Sequence, residues 1–63
     1  MLINGVEHDY ASMTIADVLA KLNVNAKMLV VEVNEVIIQQ KQYDEMMLKK
    51  DDKIEIVSFV GGG

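Results

Sequence analysis

Sixty-three residues, 51% of them hydrophobic, make one small domain with a thin core, because a chain of this size buries only about 60% of its unfolded surface. The formal charge of -4, from ten acidic and six basic residues, argues against nucleic acid, which demands clustered Lys and Arg, and against an anionic membrane surface, but suits steering toward basic protein partners. The absence of cysteine fits a reducing compartment and excludes a cysteine nucleophile or a thiolate metal site within these residues.

The opening Met1-Leu2-Ile3-Asn4-Gly5 is too short an apolar run for a signal peptide and lacks a positive n-region. No stretch approaches the roughly 18 apolar residues of a membrane-spanning helix. A cytoplasmic protein is the expectation. Leu2-Ile3 and Val6 flank Asn4-Gly5, a pair suited to a two-residue type I′ turn because both positions must accept positive φ; a hairpin is expected over residues 1–10. Ile15, Val18, Leu19 and Leu22 follow at i, i+3, i+4 and i+7, which puts four apolar side chains on one helical face. Thr14 with Asp17 three residues on resembles a capping box with Asp in place of Glu. Asn23 is the expected stop, with Asn25 a candidate for left-handed geometry.

Residues 28–33 are β-branched and read as a strand, Asn34-Glu35 as a turn, and Val36-Ile37-Ile38 as a short return strand. Residues 39–47 read as a loop with one short helical turn, in which Met46 and Met47 fill the core and Tyr43 packs against them. Lys50-Asp51-Asp52-Lys53 is a charged turn before a final strand over residues 54–60. A helix between a hairpin and later strands must fold onto one sheet face to bury its stripe. The expected fold is therefore α+β: a β-grasp, or ubiquitin-like, mixed sheet of four to five strands with one main helix on one face and the last strand central, beside the first. Residues 1–60 form the expected domain and residues 61–63 a flexible glycine tail.

That tail carries the functional argument. A strand that runs into Gly61, Gly62 and Gly63 can be extended, threaded through a narrow channel and approached closely, because glycine has no Cβ. With a free α-carboxylate at Gly63, the tail is a candidate substrate: activated as an acyl-adenylate, it could accept a sulfur or amine nucleophile. The bland alternatives are a frayed terminus or a linker scar. Along the last strand, alternation sends Ile54, Ile56 and Ser58 one way and Glu55, Val57 and Phe59 the other. Ile54 and Ile56 belong to the core; Val57, Phe59 and Val60 are then candidates for a docking surface on the open face near Val30. A lone His8 makes a poor metal site, so no metal ligands are assigned and His8 reads as structural. Glu32, Glu35, Asp44, Glu45, Asp51, Asp52 and Glu55 read as a solvated face, of which a few could meet basic residues on a partner.

With Asn34 after a strand, about thirty residues from there to the end, the Thr-Ile-x-x-Val-Leu form of the helix at Thr14, and the run Ile54-Glu55-Ile56-Val57-Ser58-Phe59-Val60-Gly61-Gly62-Gly63, the chain resembles the ThiS family, the sulfur carrier proteins of thiamine biosynthesis. Two departures stand out: Gln39-Gln40 where the family commonly has Pro-Arg, and Lys50-Asp51-Asp52 where it commonly has Asp-Gly-Asp. The second implies that a non-glycine residue must accept the turn, and Asp tolerates left-handed geometry better than most. The resemblance implies a protein cosubstrate rather than an enzyme, with no cofactor of its own. An E1-like adenylyltransferase of the ThiF type would adenylate Gly63, with Gly61 and Gly62 recognised in its channel. Sulfur from a persulfide donor such as a cysteine desulfurase would convert Gly63 to a thiocarboxylate, and a thiazole synthase of the ThiG type would receive the sulfur. Two other readings stay open: a carrier of the molybdopterin synthase small-subunit type, and an interaction module with an inert tail.

Overall fold

The computed structural model describes residues 1–58; Phe59, Val60 and residues 61–63 lie outside the described residues. Its elements are β1 (Leu2–Ile3), β2 (Val6–Glu7), α1 (Ile15–Leu22), β3 (Leu29–Val33), β4 (Val36–Ile38) and β5 (Lys53–Ser58), with 3-10 turns at Ala26–Met28 and Gln40–Gln42. The five strands form one mixed sheet in the order β2-β1-β5-β3-β4. β5 runs parallel to β1 and antiparallel to β3, so the last strand is central and beside the first, as the β-grasp arrangement requires.

Both hairpin turns follow from local chemistry. Asn4 and Gly5 have φ of 50° and 81°, Asn34 and Glu35 of 51° and 71°, the two-residue left-handed geometry whose twist suits a tight hairpin. α1 begins with the expected reciprocal cap: the Asp17 N–H donates to Thr14 Oγ1 at 3.1 Å, and the Thr14 N–H to Asp17 Oδ2 at 3.4 Å. Asn23 ends the helix with φ 57°. Asn25 does not share that geometry; at φ -86° its Oδ1 accepts from the Lys27 N–H at 3.0 Å and caps the 3-10 turn. One left-handed residue suffices to stop the helix, and Asn25 then starts a new turn in extended backbone.

Ile15, Val18 and Leu19 of α1 pack with Ile3, Leu29, Val31, Val33, Ile38 and Ile54 on one face of the sheet. Ile54 is fully buried, as expected; Ile56 is only half-buried at the margin of that core. The stretch from 39 to 52 closes the helix end of the core. Its Met46 and Tyr43 carbonyls accept from the Ile15 and Ala16 N–H groups at 3.3 and 2.9 Å, supplying two of the first-turn donors that have no partner within a helix. Tyr43 is buried and Met46 half-buried, but Met47 is 52% exposed, and Leu48, at 2%, takes the core place expected for it. An antiparallel bridge between Thr14 and Met47 extends the backbone there, so side chains alternate in and out. The departure at Gln40 is absorbed structurally, since its Nε2 donates to the Ala26 carbonyl at 2.7 Å.

The turn into β5 corrects another expectation: none of Lys50, Asp51 and Asp52 has positive φ. Asp52 instead accepts from the Lys49 N–H at 2.8 Å through Oδ2 and from Asn34 Nδ2 at 2.9 Å through Oδ1. A side chain doing the work of a turn hydrogen bond removes the need for left-handed backbone.

Leu19→Ala should cost about 2–5 kcal/mol, as for a fully enclosed aliphatic, whereas Ile56→Ala should cost visibly less. Thermal or urea unfolding checks both; a Leu19 loss below about 1 kcal/mol would contradict the packing described here. Asn4→Gly and Asn34→Gly keep the left-handed turns but delete two side-chain hydrogen bonds each, and should lower stability by about 1–2 kcal/mol.

Candidate functional site

The site is organised by β5. Its first residue is tied to the β3–β4 turn: the Lys53 N–H donates to Asn34 Oδ1 at 3.0 Å, and the Asn34 N–H to the Lys53 carbonyl at 2.8 Å. On the other side β1 has only two residues, and the Asn4 side chain replaces the missing rung. The Ile56 N–H donates to Asn4 Oδ1 at 2.7 Å, and Asn4 Nδ2 donates to the Ile56 carbonyl at 3.1 Å. An amide side chain offers the same donor and acceptor as a peptide unit, so β5 is laddered on both edges as far as Ile56. These two asparagines are read from sequence only as turn residues; a turn asparagine facing a central strand is the signal that could reveal the second role.

β5 presents two unlike faces. Ile54 points into the core. Glu55 and Val57 lie on the open face, where Val57 pairs with Val30 and Glu55 with Glu32. Val57 is 56% exposed, in keeping with its assignment to an uncovered surface. Leu2, opposite Lys53, and Ile37, opposite Glu32, extend that face to either side at 39% and 65% exposure. Phe59 and Val60, grouped with Val57 as docking residues, and Gly61, Gly62 and Gly63, assigned to tail recognition and adenylation, lie outside the described residues.

The remaining polar groups support no catalytic cluster among the described residues. His8 is half-buried, its ring centroid 4.9 Å from that of Tyr10. Glu7 is held below the ordinary carboxylate range by its hydrogen bond to the Met1 ammonium at 2.8 Å, and burial pushes the Tyr43 phenol up. No group of three or more His, Cys, Asp or Glu among the described residues could hold a metal ion, and none of their helices is long and apolar enough to cross a membrane. A 620 Å³ hollow lined by Met1, Glu7, His8, Asp9, Ala11, Lys50 and Asp51 lies at the Lys53 end of β5. The far end of the strand adjoins a smaller hollow of 340 Å³, which includes Asn4, Met28, Ile56 and Ser58. What these residues offer is a central strand hydrogen-bonded on both edges and an open face that is apolar and acidic.

The ThiS family model matches residues 1–63. The sulfur carrier protein ThiS of Bacillus subtilis is 48% identical over 50 residues, covering 79% of this chain and 76% of that protein. A thiazole synthase of Paramagnetospirillum magneticum is 39% identical over 64 residues, covering all of this chain but 20% of the relative, so the chain spans about a fifth of that protein's length. Among solved structures, the crystal structure of the thiamine biosynthesis protein ThiS from Geobacter metallireducens superposes with a TM-score of 0.79 at 30% identity, covering 98% of this chain and 96% of the other. The chain belongs to the ThiS family.

Proposed function

We propose that this protein is a sulfur carrier of thiamine biosynthesis, a protein cosubstrate acting in the cytoplasm whose reactive group is the Gly63 carboxylate. The observation that carries the proposal is family membership over residues 1–63, together with 48% identity to the Bacillus sulfur carrier. The thiazole synthase relative, similar over the whole of this chain, favours the thiamine pathway over molybdopterin synthesis.

The chemistry runs as an activation and a displacement. A carboxylate oxygen of Gly63 attacks the α-phosphorus of ATP in a ThiF-type adenylyltransferase, pyrophosphate leaves, and an acyl-adenylate forms. The terminal sulfur of a protein persulfide, charged by a cysteine desulfurase, attacks the acyl carbon and expels AMP. A thiol then cleaves the resulting acyl disulfide and releases the thiocarboxylate, which a ThiG-type thiazole synthase accepts as sulfur donor. Gly61 and Gly62 supply a Cβ-free approach to the adenylating site. Val57, with Phe59 and Val60, forms the docking surface, and the rigid β5 ladder presents it.

Incubation with an adenylyltransferase of this type, MgATP and a persulfide source should raise the intact mass by the difference between sulfur and oxygen. Gly62→Val should lower the adenylation rate by about 10²-fold, the usual consequence of displacing a reacting group by an ångström or so, with an unchanged melting temperature. An unaltered rate in that variant would sink the tail mechanism.

Val57→Thr keeps β-branching, and with it strand propensity, while placing a hydroxyl on the open face. The KM for adenylation should rise about three- to tenfold, the equivalent of roughly 1 kcal/mol of apolar burial, with little change in unfolding temperature. Lost stability with retained KM would place the docking surface elsewhere.

A further inference from the structure

Glu32 and Glu55 face each other directly across the β3–β5 pair on the open face, and both are half-buried. Like charges in directly opposed positions destabilise a sheet, because Cβ atoms in such pairs are only about 4.5–5.5 Å apart. Neither carboxylate is in an ion pair among the described residues, where the only one joins the Met1 ammonium to Glu7; Lys53, two residues before Glu55 on β5, is the cation of the same face. All six basic residues of the chain are lysines, so it contains no arginine. The paired carboxylates are bordered by Ile37 opposite Glu32 on β4 and by the Val30–Val57 pair one step along the sheet, with Lys53 one step the other way on β5.

We infer that the Glu32–Glu55 pair receives an arginine side chain of the adenylating enzyme, seated between apolar groups that cover Val57 and Ile37. A guanidinium carries five N–H donors in a planar fork and can hydrogen-bond two carboxylates at once, which a lysine ammonium matches less well. Repulsion that burdens the free domain becomes attraction in the complex. Complementarity of this kind acts on encounter and specificity. The adenylating enzyme is the occupant because it must hold β5 while the residues that follow the strand enter its active site; the inference rests on the sulfur-carrier function proposed above.

The test is ATP–pyrophosphate exchange by that enzyme as a function of carrier concentration and salt. The double variant Glu32→Gln, Glu55→Gln should raise KM about tenfold or more with kcat unchanged, and should flatten the salt dependence of kcat/KM. Its melting temperature should equal or exceed that of the unsubstituted protein, an effect that a merely structural role would reverse. Glu35→Gln with Glu45→Gln makes the same change in net charge at exposed turn positions outside the strands, and should leave KM within about twofold. An unchanged KM in the first variant, an equal rise in the second, or a rise accompanied by lost stability would each overturn the inference while adenylation of the unsubstituted protein stands. Failure of the unsubstituted protein to be adenylated would overturn the proposed function, and this inference with it.

Discussion

The lateral pairing of β5 is the constraint on which the rest of the structure depends. It is the one strand laddered on both sides to strands distant in sequence, β1 at the start of the chain and β3 in the middle. Closing those loops is costly in entropy, and contacts of this range are the last to be rewarded during folding. Two left-handed asparagines reduce the problem. Asn34 fixes where β5 begins through Lys53 and Asp52, and Asn4 extends a two-residue neighbour by one rung at Ile56. Register is thereby specified from both edges, and a one-residue slip would turn Ile54 outward and Glu55 into the core.

A second constraint is size. One helix can cover one sheet face, and among the described residues no second layer lies on the other. The open face therefore combines Leu2, Val30, Ile37 and Val57 with Glu7, Glu32, Lys53 and Glu55, the set fixed by strand register. Apolar side chains on an uncovered sheet invite self-association. A net charge of -4 and carboxylates set among those side chains oppose it, since two such faces brought together would bury acids against acids. The same arrangement leaves the face complementary to a basic surface. Opposition to self-association and complementarity to a basic surface thus draw on one set of residues.

Much of this was legible because it rests on local rules. Asn4-Gly5, Thr14 with Asp17, and the stripe Ile15, Val18, Leu19 and Leu22 each encode their geometry within a few residues, and the hairpin, the capping box and the buried helix face follow. The misreadings arise where a residue acts across the fold. Asn25 was a candidate for left-handed backbone, but Asn23 had already stopped the helix. Met47 gave way to Leu48 because a bridge to Thr14, distant in sequence, set the alternation. Asp52 reads locally as one more solvated acid, yet it organises the turn into β5 through Asn34, eighteen residues away. The open face was legible at Val57 from period-two alternation, but the opposition of Glu32 and Glu55 required the register of two strands that sequence alone does not align.

In the proposed function the glycine tail could be recognised as a peptide, and the domain before it would answer a different need. The carboxylate proposed to react is small and the same in every protein terminus, so an adenylating site that read it alone would not discriminate. Discrimination must come from surface remote from the reaction, where binding free energy can be used to place the carboxylate against ATP. That use requires a stiff connection, because a flexible linker between docking face and tail would return the gain as conformational entropy. β5 meets the requirement as far as Ile56: its open side carries Glu55 and Val57, and its backbone is held on both edges. The proposed docking face and the strand direction belong to the same element, so a partner seated on Val57 would also fix the direction of β5.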